Sequence, residues 1–272
     1  MALAFDQPTT EFRAGKAVAT LTPVLAPLAG LALFVGLWWV AGLALEATPR
    51  LSAFRGFSLV PTMASFVDLL RSGAAWKAAA PSLTRIGEGL FWSVTIGTPV
   101  GLAIGSSRLL ERVVQLPFQI LRMVSPLAWM PIAVLMFATW DGAIVFLIAA
   151  ASIWPIIFST AAGVRRIDPI WLAMAHNLGG ARWSVLRTVV LPAVSRDILG
   201  GLRLALGVAW IILVPAEYLG VTSGLGYAIN DARDTLSYDR LAALVLFIGL
   251  IGILLDSIIM VAIRRVHWTP TA

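Results

Sequence analysis

The chain has 272 residues, of which 59% are hydrophobic and only 12% are charged, about half the charged share of a typical soluble domain. So many apolar residues exceed what the core of one water-soluble globule can bury, and the composition predicts an integral membrane protein. The net charge of +6 does not indicate nucleic-acid binding, because most arginines lie in short loops between apolar runs, and the absence of cysteine excludes disulfides and thiol catalysis.

Six apolar runs are each about 20 residues long, the length that a transmembrane helix needs. They cover approximately residues 22–45, 86–105, 115–138, 142–164, 198–219 and 241–263. We therefore predict an all-α integral membrane protein with about six transmembrane helices, in which residues 1–272 form a single membrane domain. Between the first two runs, residues 61–80 favour a short amphipathic helix at the membrane surface, with an irregular loop as the alternative.

Two of these runs contain residues that modify a helix. In the second run, Gly97, Gly101 and Gly105 recur every four residues, which lets a neighbouring helix approach closely. We interpret this stripe as internal packing rather than substrate contact. In the third run, Pro126 and Pro131 disrupt the regular helix, and the freed backbone groups are tolerated at membrane depth where they line a cavity. The third run is thus predicted to line a pathway.

The distribution of arginine predicts the orientation of the chain. The loop between the fourth and fifth runs is rich in arginine, whereas the loops after the third and fifth runs contain only Arg233 and Arg240, beside acidic residues. Because positively charged loops stay in the cytoplasm, we predict that both termini are cytoplasmic. The first external loop, which includes Arg50, Arg55 and Arg85, is the exception to this pattern.

The most informative segment is the loop of residues 165–197, which we call the 165–197 loop. Asp168 and Pro169 are typical of a helix N-cap and first helical residue, and Gly179 and Gly180 are typical of a helix end. A second helical piece is expected to begin near Ala181. Two helices of this polarity cannot cross a membrane, so the loop must pack on something. It is either an amphipathic connector on the lipid headgroups or a docking site for a cytoplasmic partner.

The 165–197 loop resembles the coupling loop of the binding-protein-dependent permeases of ABC importers. The family pattern is Glu-Ala-Ala, three residues, Gly, nine residues, Ile, one residue and Leu-Pro, and every spacing holds here, although Ala173 stands for the Glu, Met174 for the first Ala and Val189 for the Ile. The resemblance implies that this loop contacts an ATPase subunit, through Ala173, Met174, Ala175, His176, Gly179, Gly180, Arg182, Leu191 and Pro192.

Other segments resemble the nitrate, sulfonate, taurine and bicarbonate group of this family. They are Ser-Pro-Leu-Ala-Trp at residues 125–129, Ile-Trp-Pro at residues 153–155 and Gly-Leu-Gly-Tyr at residues 224–227. The resemblance implies a type I ABC importer permease in the bacterial cytoplasmic membrane. Its partners would be a second permease copy in a homodimer, two ATPase subunits that bind the ATP, and a periplasmic or lipid-anchored substrate-binding protein.

The expected substrate is a small anion, either an inorganic oxyanion such as nitrate or bicarbonate or an organic sulfonate such as taurine. Aromatic carboxylates and thiamine-precursor pyrimidines remain alternatives, as does an ion-coupled secondary carrier. The sequence shows neither the inverted repeats nor the midplane carboxylates that are typical of such carriers. It also lacks a phosphate loop, a metal-ligand cluster and a nucleophile–base arrangement, so we predict that the chain itself is not an enzyme.

Charged and aromatic residues within the apolar runs are candidates for the translocation pathway. Arg122 and Arg203 could provide a positive field for an anion, or could extend to the lipid headgroups. Glu217 could pair with an arginine of a neighbouring segment or gate the external mouth. The tryptophans could line the path or pack between helices. The complete set of pathway candidates is Arg122, Ser125, Trp129, Trp154, Arg203, Trp210 and Glu217.

Overall fold

A computed structural model of the chain describes residues 14–266, with side chains described from residue 25 onward. Within this range the chain is helical, with no strand. The helices are α1 (Ala14–Ala47), α2 (Leu59–Arg71), α3 (Ala74–Ser106), α4 (Arg108–Met123), α5 (Met130–Met136), α6 (Trp140–Arg165), α7 (Pro169–Asn177), α8 (Arg182–Val185), α9 (Leu191–Gly220), α10 (Leu225–Asp234) and α11 (Tyr238–Arg265). The predicted all-α fold is confirmed.

Five helical runs in the described range are long and apolar enough to cross a membrane: α1, α3, α6, the continuous run Arg182–Gly220, and α11. A sixth candidate is α4 together with Pro126–Met136, two pieces that meet at an angle of 85°. Pro126 begins a short 3-10 helix, Pro126–Trp129, between them. The disruption predicted for the third run is therefore confirmed, because a proline cannot donate the backbone hydrogen bond that would continue α4.

The second predicted span begins earlier than expected. Helix α3 starts at Ala74 rather than near residue 86, and the predicted amphipathic helix is the shorter α2, which ends at Arg71. Arg85 consequently lies within α3 and is only 4% exposed, and the expectation that it belongs to an external loop is wrong. A helix can contain this arginine in its interior because two carboxylates neutralise it, as described below.

Close packing of α3 against α6 uses the predicted glycine stripe. A Cβ atom on Gly101 would lie 2.7 Å from the backbone oxygen of Ile157, and one on Gly105 would lie 2.7 Å from Cβ of Val164. Both distances are too short for any side chain, so the two helices require glycine here. The contacts advance in the same direction along both helices, which are therefore parallel.

Helix α9 packs antiparallel to α6 on its other side, and the resulting α3–α6–α9 layer contains most of the core. Ser152 of α6 donates a hydrogen bond to the backbone oxygen of Ala205 in α9, at 3.1 Å. Helix α11 packs on α2, α9 and α10. We call the end of the bundle that carries α7 the loop end, and the opposite end, which carries α2 and α10, the α10 end.

Candidate translocation cavity and docking loop

Helix α7 begins with the predicted N-cap. The Oδ1 atom of Asp168 accepts a hydrogen bond from the backbone N–H of Ile170 at 2.9 Å, and Pro169 occupies the first turn. The cap satisfies one of the free N–H groups at the start of the helix, and proline tolerates this position because its own N–H is absent. The start of α7 is thus encoded by these two residues.

The turn after α7 depends on two glycines. Gly179 has a φ of +78°, in the left-handed region, and its N–H donates to the backbone oxygen of His176 at 2.9 Å. The N–H of Gly180 donates to the backbone oxygen of Ala175 at 3.0 Å, and a Cβ atom on Gly180 would lie 2.7 Å from that oxygen. Gly179 is required for its backbone conformation and Gly180 for its close approach.

Beyond this turn the chain enters the membrane without a break. Residues Leu186–Val190 form a π-helical turn that joins α8 to α9, and Pro192 is the second residue after it. In a regular α-helix the ring of Pro192 would clash with the carbonyl of Thr188, and the wider turn accommodates the ring. The second helical piece predicted from Ala181 is therefore the first part of the membrane helix itself.

The 165–197 loop exposes several apolar side chains away from the membrane bundle. Leu178 is 86% exposed and Met174 is 57% exposed, on either side of His176. The Nδ1 atom of His176 lies 2.6 Å from the backbone oxygen of Leu172, so its ring follows the helix surface. The other exposed members of this surface are Ile170, Ala173, Arg182 and Trp183. Exposed apolar side chains of this number indicate a contact surface.

A cavity of about 800 Å³ lies between α3, α4, α6 and α9. Its lining is mainly apolar and aromatic, and among the described residues that line it Arg122 is the only charged one. Three of the predicted pathway residues meet here, namely Arg122, Trp129 and Trp154. The rings of Phe118 and Trp154 contact edge to face at 5.2 Å between centroids. Such a cavity can hold a small organic or inorganic anion together with water.

Arg122 projects into this cavity as a cation without a carboxylate partner. Its guanidinium carbon lies 5.2 Å from the centroid of the Phe158 ring, close enough for a cation–π interaction. None of the ion pairs in the described part of the chain includes Arg122. Its positive charge is therefore available to an anion in the cavity.

The other four pathway candidates lie outside the cavity lining, and Glu217 is described separately below. Ser125 is exposed between two lining residues. Arg203 donates from Nε and from Nη2 to the two oxygens of Asp256, at 2.6 and 2.8 Å, so its charge is neutralised by a partner that the sequence did not suggest. Trp210 packs towards α11, where a Cβ atom on Gly252 would lie 3.2 Å from its indole nitrogen.

Glu217 lies at the centre of a buried polar network at the α10 end. Its side chain is fully buried, and Oε1 accepts a hydrogen bond from Nη1 of Arg85 at 2.5 Å. The hydroxyl of Ser82 donates to the same carboxylate at 2.8 Å, and the N–H of Gly226 donates to it at 2.9 Å. The pairing of Glu217 with an arginine of a neighbouring segment is confirmed, and Arg85 is that arginine.

The same network reaches two further elements. Arg85 also binds Oδ1 of Asp141 from Nε at 2.7 Å, and the backbone oxygen of Ser223 from Nη1 at 3.0 Å. Four helices, α3, α6, α9 and α10, are thereby joined. Gly224, with a φ of +115°, passes so close that a Cβ atom would lie 2.5 Å from the Glu217 carboxyl carbon. The Gly-Leu-Gly segment was the sequence signal for this network, and our sequence analysis did not connect it to Arg85.

Among residues 25–266, no group of three or more acidic, histidine or cysteine side chains is arranged to hold a metal. The chain instead combines a membrane bundle, a cavity between its helices and an exposed two-helix loop at one end. Residues 96–268 match the family described as "Binding-protein-dependent transport system inner membrane component". The chain belongs to this family. Its members are membrane components of transport systems, and the predicted family is thereby confirmed.

Similar proteins place the chain in the predicted group. The bicarbonate transport system permease protein CmpB of Synechococcus elongatus is 36% identical over 247 residues, 87% of each chain. The taurine transport system permease protein TauC of Escherichia coli is 37% identical over 181 residues, 66% of each chain. The nitrate import permease protein NrtB of Leptolyngbya laminosa is 36% identical over 187 residues, 69% of this chain and 67% of NrtB.

These relatives reduce the number of functions that the sequence had left open. The multi-pass membrane permease is confirmed, as is its place among nitrate, bicarbonate and taurine permeases. The aromatic carboxylate, thiamine-precursor and secondary-carrier alternatives gain no support from them.

Proposed function

We propose that this chain is the permease subunit of an ATP-driven importer and forms the pathway for a small anion. In this proposal it acts as a homodimer in the bacterial cytoplasmic membrane, as a single membrane domain with both termini in the cytoplasm. Two separate ATPase subunits supply the energy, and an external binding protein delivers the substrate.

The observation that carries the proposal is the geometry of the 165–197 loop. Its two short helices are fixed by an N-cap at Asp168 and by a left-handed turn at Gly179, and its outer surface carries exposed apolar side chains such as Leu178. Exposing such a surface to water is unfavourable. A soluble ATPase subunit with a complementary groove would cover it and remove it from water. The loop end is then the cytoplasmic end.

The anionic substrate is supported by the cavity. Arg122, together with Trp129 and Trp154, forms a mostly apolar chamber with a single cation that no carboxylate in the described chain neutralises. Beside mostly apolar side chains such a cation attracts an anion more strongly than it would if water surrounded it on every side. Nitrate, bicarbonate and the sulfonate of taurine, the substrates in the names of the relatives, each carry a delocalised negative charge.

Substitution of Gly179 tests the docking role. Gly179→Val forces a β-branched residue into the left-handed region, at a local cost of about 1–3 kcal/mol, and should distort the loop surface. The membrane helices lie outside this turn and should insert normally. We expect the variant to reach the membrane and to lose either its association with the ATPase or the stimulation of ATP hydrolysis by the loaded binding protein.

Gly179→Asn is the matched control, because asparagine enters the left-handed region more readily than valine does and the space around Gly179 is open. It should retain ATPase binding, stimulated hydrolysis and uptake. Unchanged activity in Gly179→Val would contradict the docking role, and ATP-driven uptake by the permease alone in liposomes would contradict the requirement for a separate ATPase.

A further inference from the structure

A second cavity of about 320 Å³ adjoins the main cavity on the side of the loop end. Both cavities are lined by Phe118, Arg122 and Phe158, so Arg122 lies at their junction. The second cavity extends to Glu111, in the first turn of α4, and to Arg165, in the last turn of α6. We call this second cavity the vestibule, and it lies between the main cavity and the loop end.

The vestibule is lined differently from the main cavity. Glu111, Gln115 and Gln119 follow one another at four-residue spacing on α4, and Arg122 continues the same helix face. The opposite face of α4 is apolar and exposed, at Leu109, Val113, Leu116 and Ile120. Both glutamine side chains are exposed, and their amides are directed to groups outside the described part of the chain or to solvent. A row of exposed amides along one helix face can donate hydrogen bonds to water or to an anion.

The vestibule carries a net positive charge, and one of its two arginines, Arg165, forms an ion pair with Glu111. Two arginines and one glutamate line it, which gives a formal charge of +1. Arg165 donates from Nη1 to Oε1 of Glu111 at 2.5 Å, and both side chains are about two-fifths exposed, at 41% and 39%. Ion pairs this accessible to water contribute little stability, so another anion can replace the carboxylate at low cost.

We propose that the vestibule is a second anion-binding site, in which Glu111 occupies Arg165 until an incoming oxyanion displaces it. The proposal rests on the proposed function, since it places this site between the main cavity and the cytoplasm. The ligand carries one small monovalent oxyanion group, such as nitrate itself or a sulfonate, whose oxygens accept hydrogen bonds from the guanidinium groups of Arg122 and Arg165 and from the amides of Gln115 and Gln119.

The position of Arg165 links this site to the 165–197 loop. Arg165 ends α6, and Asp168, which caps α7, follows three residues later. Only Arg166 and Ile167 separate Arg165 from the cap of α7, so we expect a displacement of α7 to move Arg165 relative to Glu111 of α4. The anion would leave when this displacement restores the Glu111–Arg165 pair.

Transport by the complete complex in liposomes, with its ATPase and binding protein, tests the site, with labelled nitrate and labelled taurine as probes. Arg165→Gln leaves the Glu111 carboxylate facing the anion. The rate should fall about tenfold, the size expected for one charge-assisted hydrogen bond, while stimulated ATP hydrolysis persists. Arg166→Gln is the matched control, because Arg166 is the next residue, pairs with Asp197 and does not line the vestibule. It should stay within about twofold of the unchanged complex.

Two further variants separate charge from shape. The double variant Glu111→Gln/Arg165→Gln restores the formal charge of +1, through Arg122 alone, and should recover to within about threefold of the unchanged rate. Gln115→Leu/Gln119→Leu keeps every charge, removes only the amides and should transport about tenfold more slowly. Leu116→Met, on the opposite face of α4, should leave the rate unchanged.

Binding provides a readout that does not depend on transport. Nitrate or taurine should raise the unfolding temperature of the purified complex, and Arg165→Gln should remove most of this shift while Arg166→Gln retains it. Equal shifts in both variants, or equal transport rates in both, would overturn the second site. A complex that takes up neither probe although nitrate stabilises it through Arg165 would support the site and contradict the proposed import instead.

Discussion

The ion pairs that join helices differ in burial between the two ends of the bundle. At the α10 end, Arg85 and Glu217 are 4% and 0% exposed, and hydrogen bonds from four helices surround them. At the loop end, the pair of Arg166 with Asp197 is open to solvent, since the Arg166 side chain is 69% exposed. A buried pair is costly to break, because each partner left alone is an unpaired charge, whereas an exposed pair exchanges its partner for water. The α10 end is thus fixed, and the loop end can rearrange.

Glu217→Gln should produce the largest effect on stability. It removes the charge that neutralises buried Arg85, and we expect a loss of about 3–5 kcal/mol in the free energy of unfolding. Denaturant unfolding of the purified protein in detergent measures this loss. Asp141→Asn is the control, since Asp141 binds the same arginine but its side chain is 65% exposed, and it should cost about 1 kcal/mol or less. Equal losses would show that burial is not what distinguishes the two ends.

Gly224→Ala should have the next largest effect. Its φ of +115° disfavours any side chain, and the added methyl group would contact the Glu217 carboxylate, so we expect a loss of about 1–3 kcal/mol. Gly200→Ala in α9 is the matched control, because its Cβ atom meets nothing within 4 Å and alanine favours the helix. This variant should be neutral or more stable. A destabilised Gly200→Ala would remove the contrast on which the prediction depends.

Arg166→Gln should have the smallest effect, about 1 kcal/mol or less, since its ion pair with Asp197 is exposed. In combination with Glu217→Gln the two losses should add, because the residues lie at opposite ends of the bundle. The same unfolding experiment tests both statements. A loss for Arg166→Gln as large as that for Glu217→Gln would mean that the loop end is as rigid as the α10 end.

Local patterns made most of the fold predictable. Gly97, Gly101 and Gly105 predicted close packing of one helix, and Asp168 with Gly179 predicted the start and end of α7, because each signal acts within a few residues. The ion pairs were not predictable in the same way. Arg85 and Glu217 are 132 residues apart, and the sequence offered several arginines of equal standing as partners.

The residues that line the cavity were harder to predict, because the membrane helices have few polar residues to mark one face. Trp129 and Trp154 line the cavity, whereas Trp210 packs against α11. The sequence could not distinguish them, because α6 and α9 are apolar on nearly every face and show no clear polar side. Helix α4 was the exception, since its polar residues fall on one face, yet the break at Pro126 concealed it within a longer apolar run.

One helical run connects the two ends described above. The helical run Arg182–Gly220 is continuous, so the second half of the 165–197 loop and Glu217 belong to a single run about 58 Å long. Arg85 anchors the C-terminal end of this run through Glu217. If the helix rotates about that point, the displacement of each residue increases with its distance from Glu217. A rotation of about 5° would move Arg182 by about 5 Å while Glu217 stays in place. A small rotation of this helix about Glu217 would therefore be enough to change the arrangement of the helices at the loop end.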